Sequence, residues 1–107
     1  MRKWFVIDRN GNEIYLTEQQ WEHIISGHGE LRRHHADVLT TVRLGHRQQQ
    51  PKNPQTYVYR WGCDSLPPPF NGILVVVAFR FEQQADISQR PNNFMITAWG
   101  IMMRQKG

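Results

Sequence analysis

Cysteine is almost absent: Cys63 stands alone, so the chain has no internal disulfide to make, and a reducing compartment is expected. Long apolar runs are missing as well. The longest, Ile73 to Phe79, falls far short of the roughly 20 residues that span a bilayer, which excludes a membrane-spanning helix. Met1 to Ile7 is quickly followed by Asp8 and Arg9 and lacks the pattern of a secretory signal. A cytoplasmic protein with no membrane partner is the expectation. Lysine is scarce too, for ten of the 13 Lys and Arg are arginine. Guanidinium pairs bidentately with phosphate and stacks on bases, so a formal charge of +4 carried this way favours a nucleic-acid partner.

The chain has 107 residues, 39% of them hydrophobic, enough for one domain over residues 1–107 with a real core. Lys3 to Ile7 and Glu13 to Leu16 flank Asp8-Arg-Asn-Gly-Asn12, whose Asn-Gly pair predicts a tight hairpin. The period then changes. Thr17 is placed to cap a helix with Gln20 as its box partner, and Trp21, Ile24, Ile25 and His28 recur on one helical face. Val38, Leu39 and Val42 predict a second helix that stops at Gly45. Gln48 to Gln55 holds neither period and reads as a mobile loop. Thr56 to Trp61, Gly72 to Glu82 and Asn93 to Met103 read as strands, separated by segments rich in turn and breaker residues. The predicted class is α+β: an N-terminal hairpin and two helices packed on an antiparallel sheet of three to four strands.

Four of the five histidines, His23, His28, His34 and His35, fall within thirteen residues where one helix ends and the next begins. Imidazole gives and takes a proton near neutrality. His28 is the first choice for an acid or base, because it ends the apolar face of the first helix. His23 points away from that face, about 200° from Trp21 at 100° per residue. His34 and His35 follow Arg32 and Arg33 in a basic run that describes either a solvated turn or a phosphate site. His23 and His28 are five apart and diverge on a helix, and no Cys or acidic pair completes a tetrahedral set; neither a metal nor a cofactor is expected. Tyr57, Tyr59 and Trp61 share one strand face and Arg60 the other, which suits either packing under helices or stacking of unpaired bases. Arg80 and Thr97 interrupt apolar strands.

Thr17-x-x-x-Trp21-x-His23-Ile24-x-x-x-His28-x-Glu30-Leu31, followed by an amphipathic helix, a basic Pro-containing linker and strands ending in Ile96-Thr97-Ala98-Trp99, resembles the phage-associated branch of the barnase, EndoU, colicin and RelE-like endoribonuclease superfamily. That resemblance implies helices against an antiparallel sheet of RelE/barnase type and metal-independent cleavage of RNA by its own 2′-hydroxyl. It further implies His28 as acid or base with His23 or His34 as partner, Arg80 or Arg60 on the phosphate, and Thr97 positioning it. Arg32, Arg33, His35, Tyr59, Arg60 and Trp99 then form the RNA-binding set. A toxin or mobile-element effector acting on RNA such as tRNA, with an immunity or antitoxin protein as partner, is the implied role. A non-catalytic RNA- or protein-binding module of the same architecture is the alternative.

Overall fold

The computed structural model describes residues 2–104. Strand β1 (Lys3–Ile7) turns into β2 (Glu13–Thr17), and helix α1 (Glu18–Gly27) follows at once. A 3-10 turn (Gly29–Leu31) leads to α2 (His35–Leu44), then to β3 (His46–Gln50), β4 (Asn53–Gly62) and β5 (Gly72–Ala78). A short ribbon, β6 (Phe81–Gln83) with β7 (Gln89–Pro91), precedes the long β8 (Asn93–Ile101). The class is α+β. Six strands in the order β1-β2-β8-β5-β4-β3 make the main sheet, antiparallel except where β2 and β8 run parallel at Ile14–Asn93 and Tyr15–Phe94.

The sheet therefore has more strands than the three to four expected. The surplus comes from β1, β2 and β3. In β3 the backbone pairs with β4 while the side chains stand largely in solvent, so no apolar alternation marks it. The segment from Gln48 to Gln55, expected to be a mobile loop, is this edge strand, a tight turn and the start of β4.

Register assigns the two faces of the sheet. Tyr57, Tyr59 and Trp61 lie opposite Val77, Val75 and Ile73, which lie opposite Met95, Ala98 and Gly100. This face packs on Ile24 of α1, Leu31, and Val38 and Val42 of α2 to form the core. The other face, turned from the helices, presents cross-strand rows: His46, Arg60, Leu74 and Trp99 in one, Gln48, Val58, Val76 and Thr97 in the next.

Local chemistry fixes the joints. Thr17 caps α1 by accepting from the Gln20 N–H at 3.0 Å, as expected, but the Gln20 amide reaches across to the Ile96 carbonyl on β8 and does not close a capping box. At Gly45 a Cβ would collide with the carbonyls of Thr41 and Arg60, so only glycine lets α2 turn into β3 here. The β1–β2 turn is built on Asp8. Its carboxylate accepts from the Asn10 and Asn12 N–H groups, both at 2.9 Å, and from the Tyr59 hydroxyl at 2.5 Å.

His35, expected in an RNA-binding run, is part of the packing. Its ring lies 4.2 Å from that of Trp4 and 4.8 Å from that of Trp21, edge to face with both, and its Nε2 is buried with no partner among the described residues. Burial, then the nearby Arg2 guanidinium, hold its pKa below the ordinary value. An unfolded His, with a pKa of roughly 6.5, binds a proton more readily than this one, so stability rises with pH in that window and falls on acidification below it. The thermal midpoint, followed in chelator from pH 7.5 to 5.5, is expected to drop in the wild type and to drop less in His35→Gln. An equal drop in both proteins would take His35 out of this role.

Candidate functional site

β8 carries the site because its outer edge is free of strand pairing beyond Phe94. α1 and the 3-10 turn occupy that edge instead. The Gly100 N–H donates to Glu30 Oε2 at 2.8 Å, and a Cβ at residue 100 would meet Phe70 at 2.9 Å and Glu30 at 3.0 Å. A glycine is thus required where the carboxylate seats itself. Glu30 is 16% exposed, and its Oε2 lies 3.8 Å from Nδ1 of His28, which is 39% exposed.

His28 sits at the C-terminal end of α1, its N–H bonded to the Ile24 carbonyl at 2.8 Å. From there the imidazole reaches the rim of the open sheet face, where its ring centroid is 5.9 Å from that of Trp99. Thr97 is two residues back on the same face, roughly 7 Å along the strand, and Arg60 lies two strands across, roughly 10 Å away. On the other side of Glu30 a hollow of about 240 Å³ is lined by Gly29, Glu30, Arg32, Arg33, His34 and Pro67. The result is an acid–base pair flanked by an indole, a hydroxyl and three guanidinium groups, the elements that phosphate chemistry on a nucleic acid uses.

Not every expected residue joins it. Arg80 is at the far end of β8: its carbonyl accepts from the Asn92 N–H at 2.8 Å and its guanidinium donates to Gln55 at 3.0 Å. Seven residues of strand separate residue 92 from Trp99, roughly 20 Å, so Arg80 and His28 serve different places. Tyr59 is fully buried and hydrogen-bonded to Asp8, which removes it from any base-stacking surface. His23 is exposed on the outer side of α1. His34 is 12% exposed and bonds Asp37 through Nδ1 at 2.9 Å.

Glu30, inside the same motif, was not among the expected site residues, yet it is the carboxylate that meets His28. The available signal was its spacing, two residues after His28 at a helix end. A groove of about 710 Å³ between the β1–β2 hairpin and the β6–β7 ribbon is lined by Lys3, Phe5, Glu13, Tyr15, Glu82 and Arg90 among others and holds none of the expected residues. We therefore place the candidate site at the β8 edge.

The fold and site define an α+β protein with a histidine–carboxylate pair on the edge of a mostly antiparallel sheet. No family model, curated protein or solved structure matches the chain. No described helix is long and apolar enough to cross a membrane.

Proposed function

We propose that the chain is a metal-independent endoribonuclease of the barnase and RelE-like kind, in which Glu30 takes the 2′-hydroxyl proton and protonated His28 delivers one to the departing 5′-oxygen. The 2′-oxygen bonds to phosphorus as the P–O5′ bond breaks, which leaves a 2′,3′-cyclic phosphate and a free 5′-hydroxyl. The observation that carries this reading is the meeting of His28, Glu30 and Trp99 at one rim, with Glu30 3.8 Å from the imidazole. Two groups of opposite proton character at that separation can serve the two oxygens of a single phosphodiester.

The surroundings support the assignment. Trp99 offers a face on which an unpaired base stacks. Arg32 and Arg33, exposed beside Glu30, and Arg60 across the sheet offer cations for the flanking phosphates and for the charge that builds up on the reacting one. Thr97 presents a hydroxyl between Trp99 and the sheet centre. Only RNA has the 2′-hydroxyl this reaction needs, so DNA is left uncut. The toxin or mobile-element role, and an immunity or antitoxin partner that covers this rim, belong to the same proposal.

Incubation of the purified chain with total RNA in excess chelator tests it. Cleavage is expected to persist and to leave 2′,3′-cyclic phosphate ends. RNA that is bound and never cut would favour the non-catalytic binding module, and 5′-phosphate ends that vanish with chelator would favour a metal-dependent hydrolase.

A further inference from the structure

His23 and His28 were expected to diverge and to find no Cys or acidic pair to complete a metal site, but the fold gathers a different set. Cys63, the first residue after β4, is brought against the start of α2, where one ligand atom each of Cys63, His34 and Asp37 lies within 4.8 Å of the other two. We infer that His34, Asp37 and Cys63 form a site for a zinc-like divalent transition metal that ties the β4–β5 loop to the start of α2.

The chemistry of the set selects the ion. A thiolate is a soft ligand and an imidazole a borderline one, a combination that suits Zn²⁺ and its neighbours and not Mg²⁺ or Ca²⁺. Around a tetrahedral zinc such ligand atoms stand roughly 3.3–3.8 Å apart, given bonds of about 2.0–2.3 Å. His34 Nδ1 and Asp37 Oδ2 share a hydrogen bond at 2.9 Å, so an ion would take the place of its proton and part the two atoms slightly, with the Cys63 thiol, within 4.8 Å of both, drawn in. The Sγ makes a 3.5 Å contact with Ser65 Oγ.

Burial and charge also fit. Cys63 is 9% exposed and the His34 side chain 12%, while Asp37 is 44% exposed. The exposed Asp37 opens the site to solvent, which leaves the fourth position for water. Thiolate and carboxylate together supply two negative charges against the ion's two positive ones. The opposing influences are the start of α2, worth about half a positive charge, and the Arg32 and Arg33 side chains, which are exposed to solvent. Two full charges in contact with the ion outweigh these.

An ion here restrains the loop from Cys63 to Asn71, which carries Leu66 into the core and Phe70 against Gly100. It would thus steady the wall behind Glu30 without touching a substrate. The site stands apart from the proposed RNA chemistry, since none of its three ligands takes a proton in that reaction.

Co²⁺ titrated into the reduced, chelator-treated full chain, with no RNA present, is the test. One equivalent is expected to raise a thiolate-to-cobalt charge-transfer band in the near ultraviolet together with the visible bands of a four-coordinate ion. Cys63→Ser abolishes the charge-transfer band, and Asp37→Asn, at an exposed position that leaves the fold intact, weakens Co²⁺ binding by at least about tenfold. The absence of a band in the wild type, or unchanged affinity in Asp37→Asn, would overturn the site and return His34 and Asp37 to a hydrogen-bonded pair at the end of a helix.

Discussion

His28→Gln is expected to slow RNA cleavage by about 10²-fold or more while the thermal midpoint and the affinity for RNA stay close to wild type. Glutamine fills much of the volume of imidazole and keeps a hydrogen-bonding end, so contact with Trp99 and Glu30 is largely preserved. What it loses is the proton. A departing 5′-oxygen without an acid leaves as an alkoxide, and general acid catalysis contributes roughly 10²–10⁴ to such a step. Glu30→Gln is expected to act similarly on rate, since the amide still accepts the Gly100 N–H and cannot accept the 2′-hydroxyl proton. Because His28 is more than a third exposed, its replacement touches little of the core. Cleavage rates in the variants within about threefold of wild type would show that the reacting groups lie elsewhere.

The largest effect on stability is expected from Asp8→Ala. The Asp8 side chain is 1% exposed, accepts from Asn10, Asn12 and Tyr59, and lies 4.0 Å from Arg47. Burial pushes its pKa up, but the hydrogen bonds from Tyr59, Asn12 and Asn10 outweigh that and hold the carboxyl below its ordinary range. Alanine would strand the Tyr59 hydroxyl in the core and release two turn amides, a loss of about 2–4 kcal/mol. In a domain of this size that lowers the thermal midpoint by roughly 10–25 °C. Tyr59→Phe should cost less, because the carboxylate keeps its turn bonds. Since the folded pKa is depressed, the wild type's advantage is full above the unfolded value of roughly 3.9 and fades as pH falls below it. Denaturant unfolding of the three proteins at pH 7 decides the matter, and a loss under about 0.5 kcal/mol in Asp8→Ala would mean the turn is held by other contacts.

The elements that announce themselves by local pattern were legible from residue types alone. The Asn-Gly hairpin, the Thr17 cap, the apolar face of α1 and the stop at Gly45 all follow from interactions within a few residues, and the structure has each of them. What needed the whole fold was invisible. β3 is a strand because β4 offers it a ladder, and its own residues Gln48, Gln49 and Gln50 say nothing of this. His35 stood in the expected RNA-binding set and Tyr59 was left between sheet packing and base stacking, whereas Trp4 and Trp21 enclose the first and Asp8, fifty-one positions away, binds the second. At the candidate site, His28 was readable from its place at a helix end. Glu30 gains meaning only from Gly100, seventy positions on, and Arg80 loses it because β8 is long.

The outer edge of β8 has one more side to it. Beyond Phe94 this strand offers backbone donors and acceptors that a foreign strand could pair with, and two side chains occupy them: Gln20 at the Ile96 carbonyl and Glu30 at the Gly100 amide. The same carboxylate that stands beside the imidazole is therefore a stopper against strand addition. A protein that traded Glu30 for a small apolar residue would leave the Gly100 N–H without that side-chain partner.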